Sequence, residues 1–321
     1  MKNIFNYIIT IHNKEDLIED VLISVIKCCH DNSYIYPIID GCTDKTEEII
    51  DRVISQYPNN FITKVKLNDV HEILSINAGL KLANQSQDGY NIIIQDDVIL
   101  EDNSIEYKVT KIYEKIGCKL GYLSFMLGAN LKKDILSSNE GSPFIDYIES
   151  AYGFGMTKSK ILLPGQLAFR SIAIKSPVCI PTKIIREFGL LDENLAPSLH
   201  DDTEYCIRLL KSGYKNAVFG IKYRSDIDWG ATRRKLDITL NGRIISNMNY
   251  IRKLYYNDIL NLIAHNQETD LINIDEFIDK DEHKIALKLL KSNRNKSHKF
   301  QMEGLSFYQK IKYYIKSKIK N

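Results

Sequence analysis

Short apolar runs and amphipathic segments alternate along the first third of the chain. Apolar runs of strand length occupy residues 5–11, 36–39, 62–67 and 91–94, and apolar residues at helical spacing occur over residues 16–27, 45–57 and 73–83. Thr43 precedes the second helical segment and is predicted to cap it. Strands that alternate with helices of about ten to fifteen residues predict βαβ units and a mostly parallel sheet. In such an α/β fold, ligands bind beyond the carboxyl ends of the strands.

The pattern weakens in the middle of the chain and then becomes helical. Residues 108–165 contain clusters of Ser, Asn and Gly that are typical of loops, whereas helical spacing returns at residues 184–188 and 202–212. From Asn241 onward the chain is predicted to be helical and increasingly basic. We therefore predict two regions: an α/β domain over residues 1–240 and a helical, basic C-terminal extension over residues 241–321.

The charge distribution is uneven along the chain. The 321 residues carry a net charge of +2, but residues 284–321 contain eleven Lys and Arg against one acidic residue, Glu303. This tail therefore carries +10, which leaves −8 for the rest of the chain. A basic tail predicts an anionic partner such as a lipid surface. Arg does not alternate with aromatic residues as in nucleic-acid-binding sheets, so nucleic acid is not an expected partner.

The end of this tail has the pattern of a helix that lies on a membrane surface. Phe307, Ile311, Ile315 and Ile319 recur near helical spacing, and five lysines lie among them, at positions 310, 312, 316, 318 and 320. Apolar residues on one face and lysines around them are typical of interfacial helices. The alternative is a terminal helix that packs on the core or remains solvated.

Other features of the sequence predict a cytoplasmic protein. The first eleven residues lack the small-residue cleavage site of a secretory signal, and no apolar run approaches the length of a membrane span. The six cysteines contain no CxxC pair and are expected to be reduced thiols. We therefore expect a cytoplasmic protein that associates peripherally with the inner face of the membrane through its C-terminal helix.

Polar residues follow the predicted strands, where an α/β fold binds its ligands. They are Thr10, His12 and Asn13 after the first strand, Asp40 after the second, Asp96 and Asp97 after the strand at 91–94, and Asp201 and Asp202 at the start of a helix. Two adjacent carboxylates after a buried strand repel each other unless a cation or water compensates. Hard divalent cations are bound by one or two carboxylates together with substrate phosphates. Asp96 and Asp97 therefore indicate a site for Mn²⁺ or Mg²⁺.

Other classes of site lack their motifs in this sequence. His12, His71 and His200 show neither HxxxH nor HExxH spacing, so a zinc site is not expected. The sequence also lacks the GxGxxG and GxxxxGK[ST] motifs of dinucleotide and P-loop sites, and the GxSxG elbow of serine hydrolases.

Taken in order, six segments resemble motifs of the family 2 glycosyltransferases of the GT-A fold. Residues 7–14 (YIITIHNK) resemble the opening strand and nucleotide-binding loop, residues 38–46 (IIDGCTDKT) the segment VDDGSTDGT, and residues 77–80 (NAGL) the helix start RNAGL. Residues 93–98 (IIQDDV) resemble the metal-binding Asp-x-Asp strand end, and residues 189–193 (GLLDE) the segment GGFDE. Residues 201–209 (DDTEYCIRL), with Gly213 and Tyr214, resemble the segment that carries the general base. The resemblance covers about residues 4–232.

The resemblance implies a function and a role for each site residue. The function is transfer of a sugar, with inversion, from a nucleoside-diphosphate sugar to a hydroxyl of a glycan or lipid-linked acceptor, in surface polysaccharide or glycoconjugate synthesis. Asp202 is the implied catalytic base and Asp97 the implied ligand of Mn²⁺ or Mg²⁺. The implied donor-binding residues are Thr10, His12, Asn13, Asp40, Asn77 and Asp96. A loop over residues 175–182 is expected to line the acceptor pocket.

The sequence departs from the family pattern at several positions, which leaves alternatives open. Ile76 replaces the usual Arg before Asn-Ala-Gly, and Gln95 replaces the first Asp of Asp-x-Asp. The histidine that often completes the metal site has no clear counterpart, and Asp226 or Asp228 is the nearest candidate for a third ligand. The alternatives are a catalytically inactive nucleotide-sugar-binding protein and a nucleotidyltransferase on a related core. The second would require a basic, Gly-rich loop that residues 12–15 do not provide.

Overall fold

The computed structural model describes residues 3–30, 32–84, 88–132, 143–153, 155–156, 159–225, 229, 238–266 and 271–303. The strands are β1 (Ile4–Ile11), β2 (Ser33–Asp40), β3 (Phe61–Ile62), β4 (Val65–Leu67), β5 (Gly89–Gln95), β6 (Ile99–Leu100), β7 (Leu120–Ser124), β8 (Leu127–Leu131), β9 (Phe144–Ser150), β10 (Lys160–Leu162), β11 (Gln166–Phe169), β12 (Ile172–Ile174), β13 (Val178–Pro181), β14 (Lys215–Phe219), β15 (Tyr223–Arg224) and β16 (Ile272–Asn273). The helices are α1 (Ile18–Cys28), α2 (Thr46–Gln56), α3 (His71–Ala83), α4 (Ile105–Ile116), α5 (Thr182–Phe188), α6 (Asp201–Leu210), α7 (Ile238–Ala264) and α8 (Lys280–Glu303).

A large central sheet organises these elements, in the order β16-β11-β14-β7-β13-β5-β1-β2-β3, with β4 also paired to β2. Strands β1, β2, β3 and β4 are parallel to their neighbours, β5 is parallel to β1, and β14 is parallel to β7, whereas β13, β11 and β16 pair antiparallel. The predicted α/β fold with a mostly parallel central sheet is confirmed. A second sheet has the order β10-β9-β8-β12, and three of its strands, β8, β9 and β10, lie in the region 108–165 that was predicted to be loops.

Strand β1 lies at the centre of the sheet because both of its faces are apolar. Tyr7 and Ile9 belong to one core cluster and Ile8 to the other, as the twofold alternation of a strand requires. Helices α1 and α2 cover the first face, and α3, α5 and α6 cover the second. A strand covered by helices on both faces has a continuous apolar sequence rather than an alternating one, and this is why β1 and β5 were recognisable in the sequence.

The prediction that Thr43 caps α2 is wrong. The helix begins at Thr46, and the Oδ1 atom of Asp44 accepts a hydrogen bond of 3.0 Å from the Thr46 amide. The Thr43 amide instead donates to Asn13 Oδ1 at 2.8 Å. The helix thus begins one residue later than predicted, and Thr43 belongs to a loop that contacts the loop after β1.

The C-terminal region is built into the central sheet. Strand β16 pairs with β11 at the sheet edge, although this region was predicted to be helical throughout. Helix α7 also packs on the core: Ile251 and Ile259 are buried, and Asn247 Nδ2 donates to the carbonyls of Leu195, Ser198 and Leu199. The domain boundary at residue 240 stays a prediction. Within the described residues, none of the helices combines the length and the apolarity that crossing a bilayer requires.

Close packing between α3 and β1 predicts a destabilising substitution at Gly79. A Cβ atom at this position would lie 2.4 Å from Ile8 Cγ2. Alanine is the better helix former by about 1 kcal/mol, but a methyl group forced into a packed core costs about 1–3 kcal/mol. We therefore expect Gly79→Ala to lower the free energy of unfolding, as measured by urea denaturation.

Gly242 in α7 is the matched control for this prediction. No heavy atom of the described part of the chain lies within 4 Å of a Cβ built there. Gly242→Ala should therefore be neutral or stabilising, by up to about 1 kcal/mol. Equal effects of the two substitutions would contradict the packing argument.

Candidate active site

The carboxyl ends of β1, β2 and β5 meet at one edge of the sheet. In the parallel register, Ile11 lies opposite Ile39, and Thr10 lies opposite Gln95. His12, the first residue after β1, links the two neighbouring strand ends. Its amide donates to Asp96 Oδ2 at 2.9 Å, and its Nδ1 atom lies 2.6 Å from the Asp40 carbonyl oxygen.

Asp96 and Asp97 lie directly after β5. Besides the His12 amide, Asp96 faces the Lys14 ammonium group, with Oδ1 and Nζ 3.6 Å apart. Burial raises the pKa of Asp96 to about 7, although Lys14 and the His12 amide act in the opposite direction. Asp97 is buried, and its charge also raises the pKa of Asp96. A cation near this pair would lower the cost of keeping both carboxylates ionised.

The donor set at this strand end fits a hard divalent cation. No group of three or more His, Cys, Asp or Glu side chains suited to a metal occurs among the described residues. Mg²⁺ and similar ions, however, need only one or two protein carboxylates when substrate phosphates complete the coordination. The donors offered after β5 are carboxylate oxygens. The candidate third ligands, Asp226 and Asp228, lie outside the described residues.

The loop after β1 is fastened to the loop after β2. Asn13 adopts a left-handed conformation with φ of 48°, which Asn tolerates better than most residues. Its Oδ1 atom accepts from the Thr43 amide at 2.8 Å, and its own amide donates to Cys42 Sγ at 3.3 Å. His12 and Asn13 are exposed, whereas Thr10 is buried. The two loops thus form one surface beside the strand ends.

Asp40 and Asn77, both expected to contact the donor, also organise the fold. The two carboxylate oxygens of Asp40 accept from the amides of Val70 and His71, each at 2.7 Å, at the start of α3. Asn77 is buried, and its side chain exchanges two hydrogen bonds of 3.0 Å with the backbone of Leu191. The two segments that resemble RNAGL and GGFDE are therefore in contact. The donor-binding roles of Asp40 and Asn77 stay predictions.

Asp201 and Asp202 begin α6 and have different partners. Asp201 is 1% exposed, and its Oδ2 atom lies 2.5 Å from Lys175 Nζ. Asp202 is 8% exposed; its Oδ1 accepts from the Thr203 amide at 2.7 Å, and its Oδ2 accepts from the Lys175 amide at a long 3.4 Å. Burial, and then the charge of Asp201, raise the pKa of Asp202 to about 7. Asp202 is thus the more accessible carboxylate of the pair.

Glu204, the remaining acidic residue at the start of α6, is engaged elsewhere. It forms an ion pair with Arg208 and accepts a hydrogen bond of 2.5 Å from the hydroxyl of Tyr255 in α7. Glu204 is also 1% exposed. These contacts hold α6 against α7 and leave Asp201 and Asp202 as the acidic residues of α6 that contact Lys175.

A chain of side-chain contacts connects the strand end of β5 with the start of α6. Gln95 Nε2 donates to Glu72 Oε1 at 2.6 Å, and the same oxygen lies 3.0 Å from Lys175 Nζ. Lys175 in turn contacts Asp201. Sequence reasoning did not find Glu72 or the role of Lys175, because neither belongs to a motif. In the sequence, Gln95 was recognised only as a replacement of the first Asp of the Asp-x-Asp motif. Its contact with Glu72 explains the replacement, because a carboxylate at this position would repel Glu72.

The expectation that residues 175–182 form a loop lining the acceptor pocket needs correction. Residues Val178–Pro181 are strand β13, which is buried and pairs with both β5 and β7. The two prolines suggested a turn, but Pro181 lies at the end of the strand and Pro177 precedes it. Only the start of this segment, at Lys175 and Ser176, reaches the candidate site.

Part of the chain matches a known protein family. Residues 7–118 match the family described as glycosyl transferase family 2. No curated protein sequence matches the chain at a significant level. Among solved structures, GalNAc-T7 with UDP, GalNAc and Mn²⁺ is 15% identical with a TM-score of 0.51, over 68% of this chain and 42% of that one, which shows a shared fold.

Two further structures show weaker likeness. The mannosyltransferase PcManGT from Pyrobaculum calidifontis, in complex with GDP-Man and Mn²⁺, is 13% identical with a TM-score of 0.48, over 83% of this chain and 74% of that one. S. aureus TarS 1-349 in complex with UDP is 13% identical with a TM-score of 0.46, over 93% and 83% of the two chains.

The shared fold and the family match together indicate a fold of the GT-A glycosyltransferase type. Residues 7–118 match the glycosyl transferase family 2 model, which confirms the resemblance seen in the sequence over that segment.

Proposed function

We propose that this protein transfers a sugar, with inversion, from a nucleoside-diphosphate sugar to a hydroxyl of a glycan or lipid-linked acceptor, in surface polysaccharide or glycoconjugate synthesis. The main support for this proposal is the series of side-chain contacts that runs from Gln95 through Glu72 and Lys175 to Asp201. It brings the carboxylates after β5 and the carboxylates that begin α6 to the same end of the sheet. Inverting transfer needs both groups in one cleft.

Each group supplies one part of the proposed chemistry. Asp97 would hold Mn²⁺ or Mg²⁺, which neutralises the departing diphosphate when bound. Asp202 removes the proton from the acceptor hydroxyl, and its pKa near 7 suits a general base at neutral pH. Thr10, near the end of β1, and the loop residues His12 and Asn13 bind the donor nucleotide.

We propose that Asp226 or Asp228, both outside the described residues, is the third metal ligand. Trp229, which follows them in the chain, accepts a hydrogen bond through its carbonyl oxygen from the Lys14 ammonium group, and this group also faces Asp96.

A panel of nucleotide sugars tests the proposed function. The protein should hydrolyse or transfer from one of them in the presence of Mn²⁺ and lose this activity in EDTA. A nucleotidyltransferase would instead release pyrophosphate from a nucleoside triphosphate and a sugar phosphate. Binding of a nucleotide sugar without turnover, in the presence of candidate acceptors, would favour an inactive binding protein.

We also propose that the protein is cytoplasmic and attached peripherally to an anionic membrane through residues 304–321, which lie outside the described residues. Each lysine near such a surface contributes about 1 kcal/mol. The full chain should sediment with acidic liposomes and much less with neutral ones, and added salt should weaken the binding. A chain that ends at Glu303 should stay in the supernatant. Equal sedimentation of the two chains would contradict the assignment.

A further inference from the structure

Lys175 is a buried lysine surrounded by acidic side chains. Its ammonium group lies 2.5 Å from Asp201 Oδ2 and 3.0 Å from Glu72 Oε1, and its side chain is only 9% exposed. Its backbone amide points to Asp202 Oδ2 at 3.4 Å. One residue thus contacts both aspartates at the start of α6, one through its side chain and the other through its backbone.

These contacts give the two adjacent aspartates different electrostatic environments. Two buried carboxylates side by side tend to share one proton unless a cation compensates their charge. The Lys175 ammonium group is in direct contact with Asp201 and also with Glu72. Burial lowers the pKa of Lys175, but the charges of Asp201 and then Glu72 outweigh burial and raise it, so the lysine stays charged. Asp201 therefore faces a permanent positive charge.

We infer that Lys175 is a positioning residue that holds the Asp201 carboxylate in an ion pair, so that Asp202 alone takes up the acceptor proton. The inference rests on the proposed function. In the reaction, the acceptor oxygen forms a bond to the anomeric carbon of the donor sugar. The bond from that carbon to the diphosphate breaks, its electron pair leaves with the diphosphate, and the hydroxyl proton moves to Asp202.

The charged and titratable groups around Asp202 predict how the rate depends on pH. Asp201 lies beside it on α6, Lys175 approaches from the segment between β12 and β13, and Tyr122 faces it from β7. Asp201 raises the pKa of Asp202 and Lys175 lowers it. A base must be ionised, so the rate rises with pH through this pKa. Removal of Lys175 should move the acidic limb to higher pH, and removal of the Asp201 charge should move it to lower pH.

The test compares pH profiles of kcat for Lys175→Met, Lys175→Arg and Asp201→Asn. We expect Lys175→Met to move the acidic limb up by about one pH unit, which is about a tenfold loss at low pH that is recovered at high pH. Lys175→Arg keeps the positive charge and should leave the acidic limb at its wild-type position, whereas Asp201→Asn should move the acidic limb to lower pH. Lys183→Met, which removes an exposed lysine at the start of α5, is the control and should leave the profile unchanged.

Additional variants and an NMR titration test the inference even if one variant does not fold or activity is lost. If Lys175→Met does not fold, the kcat profiles of Asp201→Asn and of the double variant Lys175→Met/Asp201→Asn are measured instead. The acidic limb of the double variant should lie close to that of the wild type. Titration of ¹³C-labelled aspartate carboxyls by NMR follows Asp202 without any activity. If the Asp202 titration shifts in the variants but the kcat profile does not, Asp202 is not the base. The effect of Lys175 on Asp202 would still stand. No shift of that titration in either single variant would overturn the inference.

Discussion

Asp202→Asn is expected to lower sugar transfer by about a hundredfold or more while donor binding is retained. The amide has the size of the carboxylate and its oxygen can still accept from the Thr203 amide, which lies 2.7 Å from Oδ1. It cannot take a proton from the acceptor. Because α6 begins at His200 and Asp201 rather than depending on Asp202 as its cap, the substitution should leave stability almost unchanged. Turnover and calorimetric donor affinity, measured side by side, check both parts of this prediction.

Asp201→Asn is the matched control for the assignment of the base. It removes the partner of Lys175 but leaves Asp202 able to accept a proton. We expect its loss of turnover at neutral pH to be smaller than that of Asp202→Asn, with most of the change in the pH profile. A large loss in Asp201→Asn together with near-normal turnover in Asp202→Asn would transfer the role of base to Asp201.

Asp97→Ala is expected to abolish the part of nucleotide binding that depends on Mn²⁺. Even residues that only support metal ligands change metal affinity by about 10- to 100-fold, so loss of a direct ligand should exceed that range. Calorimetry of UDP and GDP binding, with and without Mn²⁺, measures the effect. The circular dichroism spectrum should be unchanged, because Asp97 lies at a strand end rather than among the apolar residues of either core.

Asp88→Ala provides the control at the opposite end of the same strand. Asp88 immediately precedes β5, is largely exposed and forms an ion pair with Arg186. Its removal should leave Mn²⁺-dependent binding as in the wild type. If Asp97→Ala binds the nucleotides as tightly as the wild type when Mn²⁺ is present, Asp97 is not a metal ligand.

The first half of the sheet was determined by local sequence. Strands β1, β2 and β5 are covered on both faces, so their sequences are continuous apolar runs that end in polar residues. Their parallel pairing brings His12, Asp40 and Asp96 to one edge, as the motif order indicated. The helices between them have helical periodicity because each must bury one face against the sheet. These features depend on neighbours close in sequence, so the local pattern of apolar and polar residues reveals them.

The remainder of the fold was decided by pairings between distant segments. Strands β10, β12 and β16 have only two or three residues, too few to show a period, and their pairing with other strands defines them. Strand β13 lies antiparallel between β5 and β7, and this insertion carries Lys175 to the candidate site. Nothing in the local pattern around Lys175 shows which strands will flank it.

The electrostatics of the site were likewise decided by tertiary structure. The sequence shows two aspartates at the start of α6 and distinguishes them only by the direction in which each side chain projects from the helix axis. The structure distinguishes them because Glu72 and Lys175, which are distant from Asp201 in the chain, meet beside it. Sequence therefore determined which acidic residues follow the strands and begin the helix. Only the folded chain decided which of them face a cation and which stay accessible, because burial and charge contacts arise from packing between segments that are far apart in sequence.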